Sequence, residues 1–212
     1  ANCYDRMTHK FICMMGKKWG LQEQVLKALL EPLQNARHFT RTAYGDSYDC
    51  FEGTNLQGAG QGNTGAAPFW TCISSAMINV LKENNMNSKL ISPLTLEEMI
   101  LTLMAFVDDT EVFLSVDDDD LDRLVELADT TMHTWKGVLQ ATGGDMRSKK
   151  CAWILLNYNH RRSYAIDKIQ PITLVDEDGL MRKVQRYDKD AAREYLGVLQ
   201  QATGNEDEQI KA

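Results

Sequence analysis

Residues 99–116 constrain this 212-residue chain more than any other stretch. The run is apolar from Met99 to Val107, is interrupted by Asp108-Asp109-Thr110, and is largely apolar again to Val116. Two short strands around a tight acidic turn fit that pattern. Adjacent carboxylates repel one another, and after an apolar strand they would also be partly buried. A bound divalent cation compensates for both costs. Mg²⁺ in particular combines a few carboxylates with waters and substrate phosphates. The dipeptide alone favours an exposed polar turn with no ligand.

Around this centre, apolar residues at helical spacing predict helices over residues 6–15 and 21–36, broken by Gly16 and Gly20. Pro32 should kink or shorten the second. A short strand is expected over residues 39–44, then a polar, glycine-rich loop over residues 46–64. Residues 66–84 read as a helix with Phe69, Ile73, Met77, Val80 and Leu81 on one face, followed by a turn-rich connection to Ser92. Residues 117–140 read as a long amphipathic helix closed by Gly143 and Gly144, its first acids suiting the positive end of the helix dipole. Strands are expected over residues 152–158 and 195–199. Asp178-Gly179 should turn a hairpin between residues 172–175 and 180–184. Helices interleaved with hairpin-paired strands give an α+β fold, and no linker composition marks a domain boundary.

The net charge of −7 argues by itself against a nucleic-acid binder. The charge is uneven, however. Residues 97–129 hold twelve acids and one base, Arg123. Bases gather at Lys17-Lys18, at Arg147, Lys149 and Lys150, at Arg161-Arg162, and at Arg182, Lys183 and Arg186. A metal-binding acidic centre with basic flanks produces this distribution, and so do plain solvated faces. No apolar run approaches the ~20 residues of a membrane span. Cys3, Cys13, Cys50, Cys72 and Cys151 form no CxxC pair, which favours free thiols in a reducing, intracellular compartment, cytoplasm or nucleus. The chain opens at Ala1 on residues that read as the middle of an element, as a fragment of a longer chain would.

Five segments in order carry a family resemblance. Phe106-Val107-Asp108-Asp109 is similar to the aromatic-x-Asp-Asp signature of reverse transcriptases. Asn2-Cys3-Tyr4-Asp5-Arg6-Met7 resembles the end of their first catalytic motif. Gly60-Gln61-Gly62-Asn63 through Pro68 resembles the Gln-Gly…Pro motif that opens the palm helix. Gly144 through Lys149-Lys150-Cys151 resembles the Gly…Lys motif beyond the long helix. Tyr195-Leu196-Gly197 resembles the Leu-Gly of the primer grip.

The resemblance implies a polymerase palm-like antiparallel sheet with helices packed on one face, truncated at both ends. The first catalytic Asp would fall shortly before Ala1, the thumb would be missing, and residues 152–212 would form a primer-grip hairpin subregion. It implies RNA-templated DNA synthesis within a retroelement polyprotein, with Mg²⁺ or Mn²⁺ held by Asp108 and Asp109. Tyr4 would pack against the sugar of the incoming deoxynucleoside triphosphate, with Gln61 and Gly62 near the nucleotide and template base. Lys150, or its neighbour Lys149, would meet the departing pyrophosphate as general acid or charge partner. Leu196 and Gly197 would support the primer, DNA or RNA. No membrane enters this reading. Without its first Asp the fragment alone would be inert. A non-catalytic, nucleic-acid-binding relic and an RNA-templated RNA polymerase are the alternatives.

Other signals point elsewhere. Gly60 to Gly65 satisfies GxGxxG, but a polar loop precedes it where a dinucleotide site needs a strand. Asp118, Asp120 and Asp122 imitate a calcium loop, yet Arg123 stands where the sharp turn requires Gly. His9, His38, His133 and His160 show no paired spacing, and Trp19, Trp70, Trp135 and Trp153 read as packing residues.

Overall fold

The computed structural model describes residues 3–37, 39–49, 57–59, 65–107, 109–116, 120–156, 169–176, 178–195 and 198–200. They form an α+β chain in two compact units, Ala1–Asp120 with Thr130–Asp145, and Leu121–Asp129 with Met146–Ala212.

The first unit begins with helices α1 (Cys3–Arg6), α2 (His9–Lys18) and α3 (Glu23–Gln34). Helix α2 runs straight through Gly16, where a break was expected. A Cβ there would lie 2.5 Å from Leu26 Cδ2, so glycine is what lets α2 approach α3. The chain turns instead at Gly20, whose φ of +85° suits glycine. Helix α3 continues past Pro32 but ends at Gln34, short of Ala36. Pro32 removes one ladder donor without ending the helix, which closes with Asn35 N–H donating to the Glu31 carbonyl at 3.0 Å.

Helix α4 (Ala66–Glu83) buries Ala66, Phe69, Trp70, Cys72, Ile73, Met77 and Leu81, which includes the predicted Phe69, Ile73, Met77 and Leu81 but leaves Val80 only half-buried. Most of this stripe joins Met7, Ile12 and Leu30 in one apolar core, with Tyr4, Phe11, Trp135, Val138 and Leu139 packed around it. At the far end Asn85 takes a left-handed φ of 55°, and Met86 N–H donates to the Leu81 carbonyl to close the helix.

A small hairpin, β1 (Arg41–Thr42) with β2 (Gly45–Asp46), stands where a single strand was expected. After α4, residues expected to be a turn-rich connection supply β3 (Ser88–Ile91), which pairs antiparallel with β4 (Glu98–Leu101). The apolar run is therefore split at buried Thr102, and its second half is β5 (Leu103–Phe106), paired with β6 (Asp109–Val112). The two hairpins are tied together. Ser115 N–H donates to the Asn87 carbonyl at 3.3 Å, Lys89 N–H donates to Ser115 Oγ at 3.2 Å, and Phe113 N–H donates to the Thr102 carbonyl at 3.0 Å. The β3–β4 hairpin keeps Ile91, Leu94, Leu96, Met99 and Ile100 exposed.

Helix α5 (Leu121–Ala141) carries Asp122 in its first turn and is closed at Gly143, with φ +99°. A Cβ at Gly143 would run into the Arg6 carbonyl oxygen. In the second unit, a 3₁₀ turn (Ser148–Lys150) leads to β7 (Ala152–Ile154), then β8 (Thr173–Val175), β9 (Met181–Lys183), β10 (Gln185–Tyr187), β11 (Arg193–Tyr195) and β12 (Val198–Gln200). The β8–β9 hairpin forms as expected, with Gly179 at φ +75° in its turn. β7 pairs with β10 in parallel, which puts the Arg186 guanidinium 5.8 Å above the Trp153 ring. Neighbour-in-sequence hairpins do not foretell such a pairing. β11 and β12 form a hairpin where one strand was expected. Among the described residues every sheet has two strands, and no helix is long and apolar enough to cross a membrane.

Two glycines predict opposite outcomes. Gly143→Ala forces a left-handed alanine against Arg6 and should cost about 1–3 kcal/mol in urea denaturation. Gly137→Ala, inside α5 with nothing near its Cβ direction, should add about 0.5–1 kcal/mol.

Candidate active site

A tight two-residue turn joins β5 and β6 close to where the sequence predicts one, but Asp109 and Thr110, read as turn residues, lie within β6. Phe106 is paired with Asp109, so Val107 and Asp108 are its two central residues. Asp109 opens β6 with an exposed side chain. Asp108 lies outside the described residues. Two-residue turns that suit the twist of a hairpin need φ > 0 at the first central position. Val107 supplies it, with φ 56°. The Val107 carbonyl accepts a 2.5 Å hydrogen bond from Trp70 Nε1–H, near the start of α4. Helix α4 thus meets the turn directly.

A second set of contacts gathers around α1. Ala59 N–H donates to the Tyr4 carbonyl at 2.8 Å, and Gly58 N–H donates to the Met7 carbonyl at 2.7 Å. Gln57 forms a bridge with Thr8, and buried His9 donates from Nε2 to the Gly58 carbonyl at 2.7 Å. Residues 57–59 are therefore pinned to the α1–α2 corner, while Ala66 at the start of α4 is sunk in the core. Gln61 and Gly62 fall between these anchors and lie outside the described residues. The two segments expected to meet a nucleotide, at Tyr4 and at Gln61-Gly62, are thus joined through Ala59. The Tyr4 ring is half-buried and packs on the core cluster. That contact is the one expected of a core aromatic, and the remaining exposure leaves part of the ring accessible.

Lys149 and Lys150 occupy the 3₁₀ turn, both exposed. The turn is held by Asp176, whose Oδ1 accepts the Ser148 N–H at 2.8 Å. Arg182 reaches Asp176 Oδ2 at 2.7 Å and Asp178 Oδ2 at 2.6 Å. These contacts hold both carboxyls below the usual carboxylate range. For Asp176 the leading cause is the Ser148 N–H, with Arg182 adding to it. For Asp178 it is the Arg182 guanidinium, then the Leu180 N–H. Leu196 and Gly197 fall between β11 and β12, outside the described residues.

Tyr4 and Asp109 belong to the first unit, and Lys150, Leu196 and Gly197 to the second. Among the described residues no group of three or more His, Cys, Asp or Glu side chains is gathered in a metal-holding cluster. Sequence reasoning treated Trp70 as packing alone and did not single out Asp176. An indole on the buried stripe of a helix was one available signal, because its N–H needs an acceptor once buried. The Asp176, Asp178 and Arg182 spacing across a hairpin turn was the other.

The depressed carboxyls give a pH prediction. Their contribution is fully present above the ordinary carboxylate range and is lost as pH falls through their lowered values. Asp176→Asn should therefore lower the urea midpoint most at pH 7, and the gap from the parent should narrow as pH falls below the ordinary carboxylate range. A gap that does not change with pH would count against the assignment. No known family model, no curated protein and no solved structure matches this chain, so the reading of its site rests on its own residues.

Proposed function

We propose that the chain is the palm portion of a polymerase that copies RNA into DNA, and that the β5–β6 turn is its catalytic centre. The observation that supports this most is the two-residue turn with Val107 at a left-handed φ of 56°, which leads into an exposed Asp109 at the head of β6. Backbone strain of this kind concentrates at functional sites. The ordered resemblance of the Tyr4, Gln61-Gly62, Lys149-Lys150 and Leu196-Gly197 segments to polymerase motifs adds the substrate class.

The donor set suits a hard divalent cation, since Asp108 and Asp109 offer only carboxylate oxygens. Mg²⁺ or Mn²⁺ held there would neutralise charge on the attacking and leaving oxygens of phosphoryl transfer. The remaining work belongs to the chain. The primer 3′-hydroxyl attacks the α-phosphorus and gives up its proton to solvent, a new P–O bond forms, and the bond to the bridging oxygen breaks to release pyrophosphate. Lys150, or Lys149 beside it, donates a proton to that leaving oxygen or balances its charge. Tyr4 bears on the sugar, where its ring would exclude a 2′-hydroxyl, and Gln61 with Gly62 faces the nucleotide and template base. Leu196 and Gly197 steady the primer end. RNA template, DNA or RNA primer and deoxynucleoside triphosphates are the partners, as part of a longer polyprotein.

The test is primer extension on an RNA template, using the chain extended so that an Asp stands just ahead of Ala1. Asp108→Asn and Asp109→Asn should each abolish incorporation while the circular dichroism spectrum stays unchanged. Incorporation that survives both changes overturns the proposal. Of the lysine pair, Lys150→Ala should slow kcat about 10²–10⁴-fold, the usual size of a general-acid contribution. The same loss at Lys149→Ala instead would move the role to that neighbour. Tyr4→Ala should admit ribonucleotides. A parent enzyme that already prefers ribonucleotides would make the product RNA.

A further inference from the structure

We infer that Trp70 is a positioning residue for the acidic turn, holding through its indole N–H the Val107 carbonyl in the hairpin that carries Asp109. The inference deepens the polymerase reading and rests on it for the carboxylates' role.

Val107 is β-branched, and its left-handed φ of 56° is costly for that side chain. Glycine, asparagine or aspartate normally fills such a position. The Val107 side chain is 37% exposed, so close packing around it does not impose the conformation. The carbonyl is what is held. Trp70 Nε1–H donates to it, and Trp70 is itself only 8% exposed in the core cluster with Phe69, Ile73 and Met77. A phenylalanine at position 70 would serve the core nearly as well, so packing alone does not call for an indole. The N–H does. A ring fixed on its helix by the core transmits that rigidity to the turn, and the turn belongs to the hairpin that carries Asp109. A carboxylate carried on a fixed hairpin binds a cation without first ordering its backbone.

The test compares the parent chain with Trp70→Phe, with Val107→Gly, and with the two combined. Two measurements are made on the chain as it exists: amide hydrogen exchange, and binding of Mn²⁺ alone followed by electron paramagnetic resonance. The third is the split of kcat against KM in the extended, active form. Trp70→Phe should speed exchange at the β5 and β6 amides and leave α4 protected. It should weaken Mn²⁺ about tenfold, the equivalent of one hydrogen bond. It should lower kcat by up to about 10²-fold with KM for the nucleotide nearly unchanged. Val107→Gly should recover much of each loss, because glycine adopts the left-handed turn without a tether. A purely structural Trp70 predicts additive losses, and additivity overturns the inference. So does Mn²⁺ binding that is equal in parent and Trp70→Phe, which leaves the metal reading of the turn standing. Faster exchange in Trp70→Phe with no Mn²⁺ bound by either protein upholds the tether and removes the metal reading.

Discussion

Between α1 and α2 the chain turns through Met7 and Thr8 in the interior, where peptide groups must find partners within the protein. Leaving one unpaired costs about 1–3 kcal/mol. Two distant segments supply the partners. Gly58 and Ala59 donate to the carbonyls of Met7 and Tyr4, and the Thr142 carbonyl accepts from Thr8 N–H. The N-terminal helices therefore cannot be completed until the chain from the far side of α3 and the end of α5 has arrived. Gly143 is required by the same meeting, because any side chain there would strike Arg6. The corner turns three remote pieces of sequence into one body, and the core under α4 forms around it.

The acidic hairpin hangs on that body through α4. The helix contributes its apolar stripe to the core, and through Trp70 it contributes a donor at the hairpin's tightest point. A turn with a valine in the left-handed region would relax if it were free. The lysine turn of the second unit follows a similar logic with charge in place of packing. Asp176 fixes the backbone of Ser148, and Arg182 spans both aspartates of the β8–β9 turn.

What could be read from the sequence was what local chemistry decides. The stripe of α4, the acidic hairpin and the Asp178-Gly179 turn all came from periodicity and turn residues within a short window, and all three are present. The misses were non-local. Gly16 looked like a break because a helix seen alone gains nothing from glycine, and its value appears only when Leu26 lies against it. β3 went unread because Ser88 to Ile91 is short and polar at its start, and its strand character comes from pairing with β4 and with Ser115. The parallel β7–β10 pair joins segments too far apart for any turn signal to mark. In the site, the residue types were legible but the supports were not. Trp70 and Asp176 matter through one hydrogen bond each to a distant backbone group, and the sequence shows only the donor or acceptor, never the partner.

The exposed face of the β3–β4 hairpin has a consequence for the chain in solution. Leu94 is 92% exposed and Leu96 77%, beside Ile91, Met99 and Ile100, on a hairpin that among the described residues pairs with no third strand. Two copies meeting there would gain apolar burial and strand pairing together. The net charge of −7 opposes that meeting at low ionic strength. At about 1 M salt the screening length shrinks to roughly 3 Å and the repulsion is gone, while kosmotropic anions strengthen apolar burial. High salt would therefore favour contact between copies at this face.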